Sequence, residues 1–287
     1  MWLVQRVVSE AAQASGDEKV SARENSVSKN TIARKLIEAA DNLSARLGEV
    51  EFQLPVHTVY NPFVYAREAY CEYLRRYATT KKRVFYLGMN PGPWGMAQTG
   101  IPFGEVAAVR NYLQITARIG KPLNEHPKRP IEGMECGRSE VSGRRLWGLF
   151  SKKYPSPEAF FEEQFVANYC PLVFMDQGAR NVTPDKLPAK EFAQLAKSCD
   201  LHLAEMLAVL KPDYVVGIGQ FAEVCLGRVA AAAGLEVVPA EGGRPSFPKV
   251  GILRILHPSP ASPAANRDWA GVVEKTLLSS GVWQKKG

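Results

Sequence analysis

Four short strings of this sequence place a polar side chain where an apolar run stops, and each could do chemistry. In Met89-Asn90-Pro91-Gly92-Pro93, prolines fix the backbone and donate no hydrogen bond, while glycine permits tight turns and close approach of a ligand. Such a loop is stiff and presents the Asn90 carboxamide with a few backbone N–H groups. It would equally serve as a bare strand-to-helix connection. In His257-Pro258-Ser259-Pro260, prolines hold a histidine in one orientation, which suits it to donate a hydrogen bond to developing negative charge. A lone histidine is nevertheless more often a satisfied packing residue. Asn168-Tyr169-Cys170-Pro171 repeats the pattern of a polar residue near a proline. The fourth string, Gly217-Ile218-Gly219-Gln220-Phe221-Ala222, fits the dinucleotide pattern G-x-G-x-x-A, with Glu236 in the range of the acid that follows it. Residues 235–251 read as a hairpin or loop, not as the second parallel strand that would carry that acid, which tells against a nicotinamide or flavin. Cys199 and His202 fall one helical turn apart and could offer two metal ligands. Without a second pair, plain packing accounts for them better, and no metal is expected.

The elements that must position these strings are legible from hydrophobic periodicity. Arg83 to Gly88, Phe165 to Asn168, Tyr214 to Ile218 and Gly251 to Leu256 are short apolar runs that read as buried strands. A helix is predicted from Asn30-Thr31 to about Leu47, then, after a loop over Pro55 to Pro62, another over 64–78. Helical stretches follow at 104–119, 142–151, 156–163, 188–210, 220–233 and 267–280. Alternating strands and helices imply a three-layer α/β fold, with a mostly four-stranded parallel sheet between helices. Ligands of such folds bind outside the carboxyl ends of the strands, where all four strings lie. Residues 31–287 are expected to form one domain. Residues 1–30, rich in Ser, Ala, Glu and Lys, read as a flexible or marginally helical extension.

Composition narrows the class. With 287 residues, 46% hydrophobic and 23% charged, the chain can bury a sizeable core and is neither disordered, collagen-like nor coiled-coil throughout. No apolar run approaches the roughly 18 residues of a membrane span, and Met1 to Arg6 is too short in its apolar part for a signal peptide. The five cysteines, Cys71, Cys136, Cys170, Cys199 and Cys225, are odd in number and scattered, which fits a reducing compartment and not a disulfide framework. The net charge is +7. Between Arg110 and Lys153 stand ten basic and four acidic side chains, so a net of six positive charges lies in one stretch interleaved with Pro and Gly. A solvated face is the usual meaning of such a run; an irregular basic loop that binds phosphates is the other.

Taken together, the strings resemble the single-strand-selective monofunctional uracil-DNA glycosylases. The resemblance is carried by Gly88 to Pro93, Gly95-Met96-Ala97-Gln98-Thr99-Gly100-Ile101-Pro102-Phe103-Gly104, Glu140-Val141-Ser142-Gly143 through Trp147-Gly148, Asn168 to Leu172, Arg180-Asn181-Val182-Thr183-Pro184, His257 to Pro260 and Asn266. It spans roughly residues 50–283 in a consistent order. Asn90 separates the chain from the branch with an acidic residue in a Gly-Gln-Asp-Pro-Tyr string, and the scattered cysteines separate it from the iron–sulfur branches.

The resemblance implies a uracil-DNA glycosylase fold and hydrolysis of an N-glycosidic bond in DNA, through an oxocarbenium-like sugar cation, after the nucleotide is flipped from the stack. Asn90 would position the attacking water, and His257 would donate to uracil O2. Asn168 would accept from N3–H and donate to O4, a pattern that cytosine reverses. Phe103 would stack on the base, and Met89 and Gly92 would line the pocket near a 5-substituent. Ser259, Pro260, Ala261, Ser262, Pro263, Asn266 and Arg267 would form the loop that wedges into DNA. The implied reaction needs no metal or redox cofactor, and no lysine in these strings offers lyase chemistry. Animal members carry an arginine where this chain has Ala261, so weaker wedging and a preference for single-stranded or mispaired uracil are expected. The expected partner is DNA bearing uracil or a related damaged base, met by a monomer, away from membranes, at a bacterial nucleoid in the cytoplasm or in a eukaryotic nucleus. A catalytically silent nucleic-acid-binding protein of the same fold is the alternative, and a nucleotide-cofactor enzyme using Gly217 to Ala222 the third.

Overall fold

The computed structural model describes residues 22–240 and 244–284. In chain order the elements are α1 (Ala22–Gly48), β1 (Thr58–Tyr60), α2 (Pro62–Tyr65), α3 (Arg67–Tyr77), β2 (Val84–Gly88), α4 (Met96–Thr99), α5 (Val106–Ala108), α6 (Val141–Lys153), α7 (Pro157–Phe161), β3 (Gln164–Asn168), β4 (Val173–Met175), β5 (Asn181–Val182), α8 (Ala189–Leu210), β6 (Tyr214–Ile218), α9 (Gln220–Ala232), β7 (Glu236–Pro239), β8 (Lys249–Ile255) and α10 (Ala265–Ser279). Of the extension expected over residues 1–30, residues 1–21 lie outside the described residues, and 22–30 belong to α1.

The four apolar runs become β2, β3, β6 and β8, each paired in parallel with its neighbours in the order β3-β2-β6-β8-β7. Strands β2, β3 and β6 are buried along their whole length, which is why they read as continuous apolar runs with no alternation. On one face Tyr86 of β2 packs against Phe150 of α6 and Phe160 of α7, with Trp283 beside Phe150. On the other, Tyr73 of α3 packs on Phe165 of β3 and donates to the Val166 carbonyl at 2.9 Å. The chain turns one way from β2 to β3 and the other way from β6 to β8. The carboxyl ends of β2, β3, β6 and β8 therefore open around one crevice.

Besides the earlier start of α1 and the break at Ala66 between α2 and α3, the structure departs from the sequence reading in three places. The sheet has five strands, not four. Residues 236–239, expected in a hairpin or loop, form the edge strand β7, parallel to β8 with Val237 opposite Val250. Being half exposed and closed by Pro239, β7 carries neither an apolar run nor a clean alternation. The helix expected over 104–119 holds only from Val106 and passes into a π turn over Val109–Leu113. It ends at Gln114 in left-handed backbone, and the Glu72 carboxylate then accepts from the N–H groups of Thr116 and Ala117. Finally, β1, β4 and β5 form a small antiparallel sheet whose two- and three-residue strands leave no periodic signal. Among the described residues, no helix is long and apolar enough to cross a membrane.

Candidate active site

At the crevice lies a cavity of about 360 Å³ whose walls include Asn90, Phe103, Asn168 and His257. Three loops and the end of β3 thus bring together residues as much as 167 positions apart in sequence. The loop after β2 and the end of β3 are locked to each other, because Tyr169 N–H donates to the Gly88 carbonyl and Cys170 N–H to that of Met89, both at 2.9 Å. Across this junction the Asn90 Nδ2 donates to the Leu172 carbonyl at 3.2 Å. With its NH₂ so anchored, the Asn90 carboxamide stands in the cavity wall.

Asn168 is buried at the last position of β3. Its Nδ2 reaches the Met96 sulfur at 3.3 Å, while its buried Oδ1 has no partner. Orphaned buried acceptors are rare in folded proteins, and this one lies in a cavity wall. Gly88, opposite Asn168 in the register, makes the arrangement possible: a Cβ there would stand 2.4 Å from Asn168 Oδ1 and 2.5 Å from the Phe103 ring. Phe103 itself holds left-handed backbone, with φ of 53°, unusual for a bulky residue. That geometry is held by α6, where Gly143 packs against the Phe103 carbonyl and the Trp147 indole donates to that of Pro102. The Phe103 and His257 rings stand 6.3 Å apart.

The tautomer of His257 follows from its neighbours. Ser259 N–H donates to His257 Nδ1 at 3.1 Å, so the ring proton sits on Nε2 and makes that nitrogen a donor. Burial lowers the imidazole pKa to about 4, so the ring is neutral at physiological pH. Gly219 at φ 91° lets the ring lie close, since a Cβ there would be 3.3 Å from that of His257. A Cβ at Gly217 would stand 2.4 Å from the Glu223 backbone N. The two glycines are therefore explained by helix packing and by His257, and Glu236, at the start of an edge strand two places from β6, pairs with Lys249 at 2.8 Å. Cys199 and His202 are both buried on α8, His202 beside Phe63; among the described residues no group of three potential metal ligands is found.

Met89, Gly92 and Ser259 line the cavity. Pro260, Ala261, Pro263 and Arg267 are exposed beside it, with Ser262 half-buried. Asn266 is exposed as well, and its side chain bonds to the loop and to α6. Its Nδ2 donates to the Pro260 carbonyl at 2.8 Å and its Oδ1 accepts from Arg145, which also donates to the Pro258 carbonyl at 2.9 Å. The sequence reading counts Arg145 only among the ten basic residues that could bind phosphates, and it assigns no role to Met96, Glu140, Ser142, Asn181 and Thr183 of the cavity wall. Glu140 to Gly143 and Arg180 to Pro184 enter the resemblance without a stated function.

The basic stretch divides. The guanidiniums of Arg129 and Arg138 lie over the Trp94 ring at 5.0 and 4.5 Å. Arg144, Arg145, Lys152 and Arg267 line a groove of about 360 Å³ between α6 and α10. Others serve the fold, as Arg110 does in donating to the Met134 carbonyl.

Comparison with known sequences agrees with this geometry: residues 75–275 match the profile of the Uracil DNA glycosylase superfamily. The chain belongs to that superfamily. The single-strand selective monofunctional uracil-DNA glycosylase of Rattus norvegicus is 43% identical over 252 residues, covering 88% of this chain and 86% of that one. Its namesakes from Mus musculus and Bos taurus are 42% and 41% identical, over 88% and 89% of this chain. Among solved structures, wild-type Pedobacter heparinus SMUG2 superposes with a TM-score of 0.61 at 17% identity, covering 88% of this chain and 97% of that one. This last is a likeness of fold.

Proposed function

We propose that this chain is a monofunctional uracil-DNA glycosylase. It hydrolyses the N-glycosidic bond of a uracil flipped out of DNA and leaves an abasic site for base-excision repair. The observation that carries the reading is the pair of complementary groups in one cavity: an unpartnered buried acceptor on Asn168 and a donor on His257 Nε2.

Uracil stacked on Phe103 would present N3–H to Asn168 Oδ1 and O4 to its NH₂. Cytosine has an acceptor at N3 and a donor at position 4, so it leaves both groups mispaired, at about 1–3 kcal/mol for each buried group left unpaired. As the C1′–N1 bond lengthens, charge grows on O2 and the His257 Nε2–H donates to it. A donor placed before the reaction begins is worth about 2.7–4 kcal/mol in the transition state. A neutral imidazole suffices, and the Ser259 N–H fixes it. The Asn90 Oδ1 orients the water that attacks the sugar cation from within the same loop. The exposed turn from Pro260 to Arg267 and the basic groove behind it would contact the DNA strand.

The test is direct. A labelled uracil-bearing oligonucleotide, treated with the protein and then with alkali, should be cut at the abasic site. His257→Ala and Asn90→Ala should each slow single-turnover release by about 10²–10³. Absence of abasic sites in single- and double-stranded DNA alike would overturn the reading.

A further inference from the structure

The hydrolysis proposed above releases a proton when water adds to the sugar, and neither assigned polar group can take it. Asn90 offers an amide oxygen, which orients a hydrogen without accepting the proton. His257 already carries its proton on Nε2, and its Nδ1 accepts from Ser259 N–H. Among the described residues lining the cavity, one other titratable side chain remains, that of Glu140.

The Glu140 carboxyl is seated against the loop that bears Asn90. A Cβ at Gly92 would lie 1.9 Å from Oε1, and one at Gly95 would lie 2.1 Å from Oε2. Glycine at both positions is what admits the acid to this wall. Glu140 is also the residue before α6, the helix that supports Phe103 through Gly143. The carboxyl is therefore tied to the stacking residue on one side and the water-bearing loop on the other.

We propose that Glu140 is the proton acceptor of the reaction. The C1′–N1 bond breaks with its electron pair passing to uracil, which leaves as an anion held by His257. The water oxygen bonds to C1′, one of its O–H bonds breaks, and the proton passes through pocket water to the Glu140 carboxylate, from which it returns to solvent. The inference rests on the glycosylase reading.

The charge environment suits the role. Burial raises the Glu140 pKa to about 7, Glu105 at the start of α5 adds to the rise, and the Gly143 N–H opposes it. The loop from Met89 to Gly95 holds no titratable side chain, and His257, across the cavity, is neutral. A carboxylate whose pKa lies near the working pH is the most effective acceptor, and such catalysis is typically worth about 10²–10⁴ in rate.

Single-turnover release of uracil from a single-stranded oligonucleotide, followed from pH 5 to 9 with enzyme in excess, tests this. Wild type should gain rate with rising pH through an inflection near 7, because the ionised form is the acceptor. Glu140→Gln should be slower by about 10²–10⁴ and lack the inflection. Glu140→Asp, which keeps an ionisable group, should regain an inflection, displaced from that of wild type. If Glu140→Gln keeps the inflection, or stays within about threefold of wild type across the range, Glu140 is not the acceptor. Should Glu140→Gln fail to fold, the aspartate variant decides: an unmoved inflection overturns the proposal and a displaced one supports it. If wild type itself releases no uracil at any pH, the glycosylase reading fails instead.

Discussion

Asn168 holds an unpartnered Oδ1 in a buried position, and the fold gains nothing from it. Leaving a buried acceptor unsatisfied costs about 1–3 kcal/mol, so a leucine of similar shape should be better for stability and worse for uracil. Asn168→Leu should raise the unfolding free energy by about 1–3 kcal/mol, and with it the melting temperature by about 2–4 °C per kcal/mol for a chain of this size. It should lower kcat/KM on a uracil oligonucleotide by at least about tenfold for each hydrogen bond that leucine cannot make to the base. A variant that loses both stability and activity would mean that Asn168 is a packing residue. The residues legible in the sequence share one property with Asn168: they sit where an apolar strand stops at a proline, and this local signature marks Asn90 and His257 equally. Glu140 and Arg145 carry no such signature. What defines them is the Gly92–Gly95 wall and the Pro258 carbonyl, partners brought close by the fold alone.

On the proposed function, reactivity depends on the segment from His257 to Asn266, and that segment is held by a helix distant in sequence. Arg145 on α6 donates to the Pro258 carbonyl and to Asn266, both at 2.9 Å, and Asn266 closes the turn onto Pro260. Arg145→Met keeps the aliphatic stem and removes the fork that holds this loop. It should lower kcat about tenfold, or roughly 1.4 kcal/mol in the barrier, with little change in KM, because the His257 donor acts mainly in the transition state. In the His257→Ala background the same change should do almost nothing further, since the two side chains act as one unit. Full additivity would show that Arg145 acts elsewhere. At the tip of the same segment Ala261 offers neither bulk nor charge. Ala261→Arg should raise the rate on U:A duplex several-fold while leaving the single-stranded rate nearly unchanged, because wedging matters only where a helix must be opened. Equal rates of wild type on single-stranded, U:G and U:A substrates would remove this account. At this scale β2, β3 and β6 were legible because each is buried on both faces, and β8 because its Gly251 to Leu253 run is apolar, whereas β7 is a short, half-exposed edge strand closed by Pro239.

At the scale of the whole molecule, the net charge of +7 acts through where it is placed. Arg129 and Arg138 are drawn onto Trp94, and Arg145 is engaged with the loop. Arg144, Lys152 and Arg267 are exposed along the groove between α6 and α10, and on the proposed function they would meet the phosphates of a strand whose uracil enters the cavity. Binding through phosphates releases condensed counterions, so affinity should fall linearly with salt on logarithmic axes, by about 0.7 per phosphate neutralised for single strands. Replacing these three residues by alanine should therefore lower the slope by about two for a uracil oligonucleotide bound by the His257→Ala protein. It should weaken binding alike for uracil- and thymine-bearing strands, because phosphate contacts position a strand without reading it. A slope unchanged by the triple substitution would place the DNA path on another face, whereas a loss confined to uracil strands would mean that these side chains act on the pocket and not on the backbone.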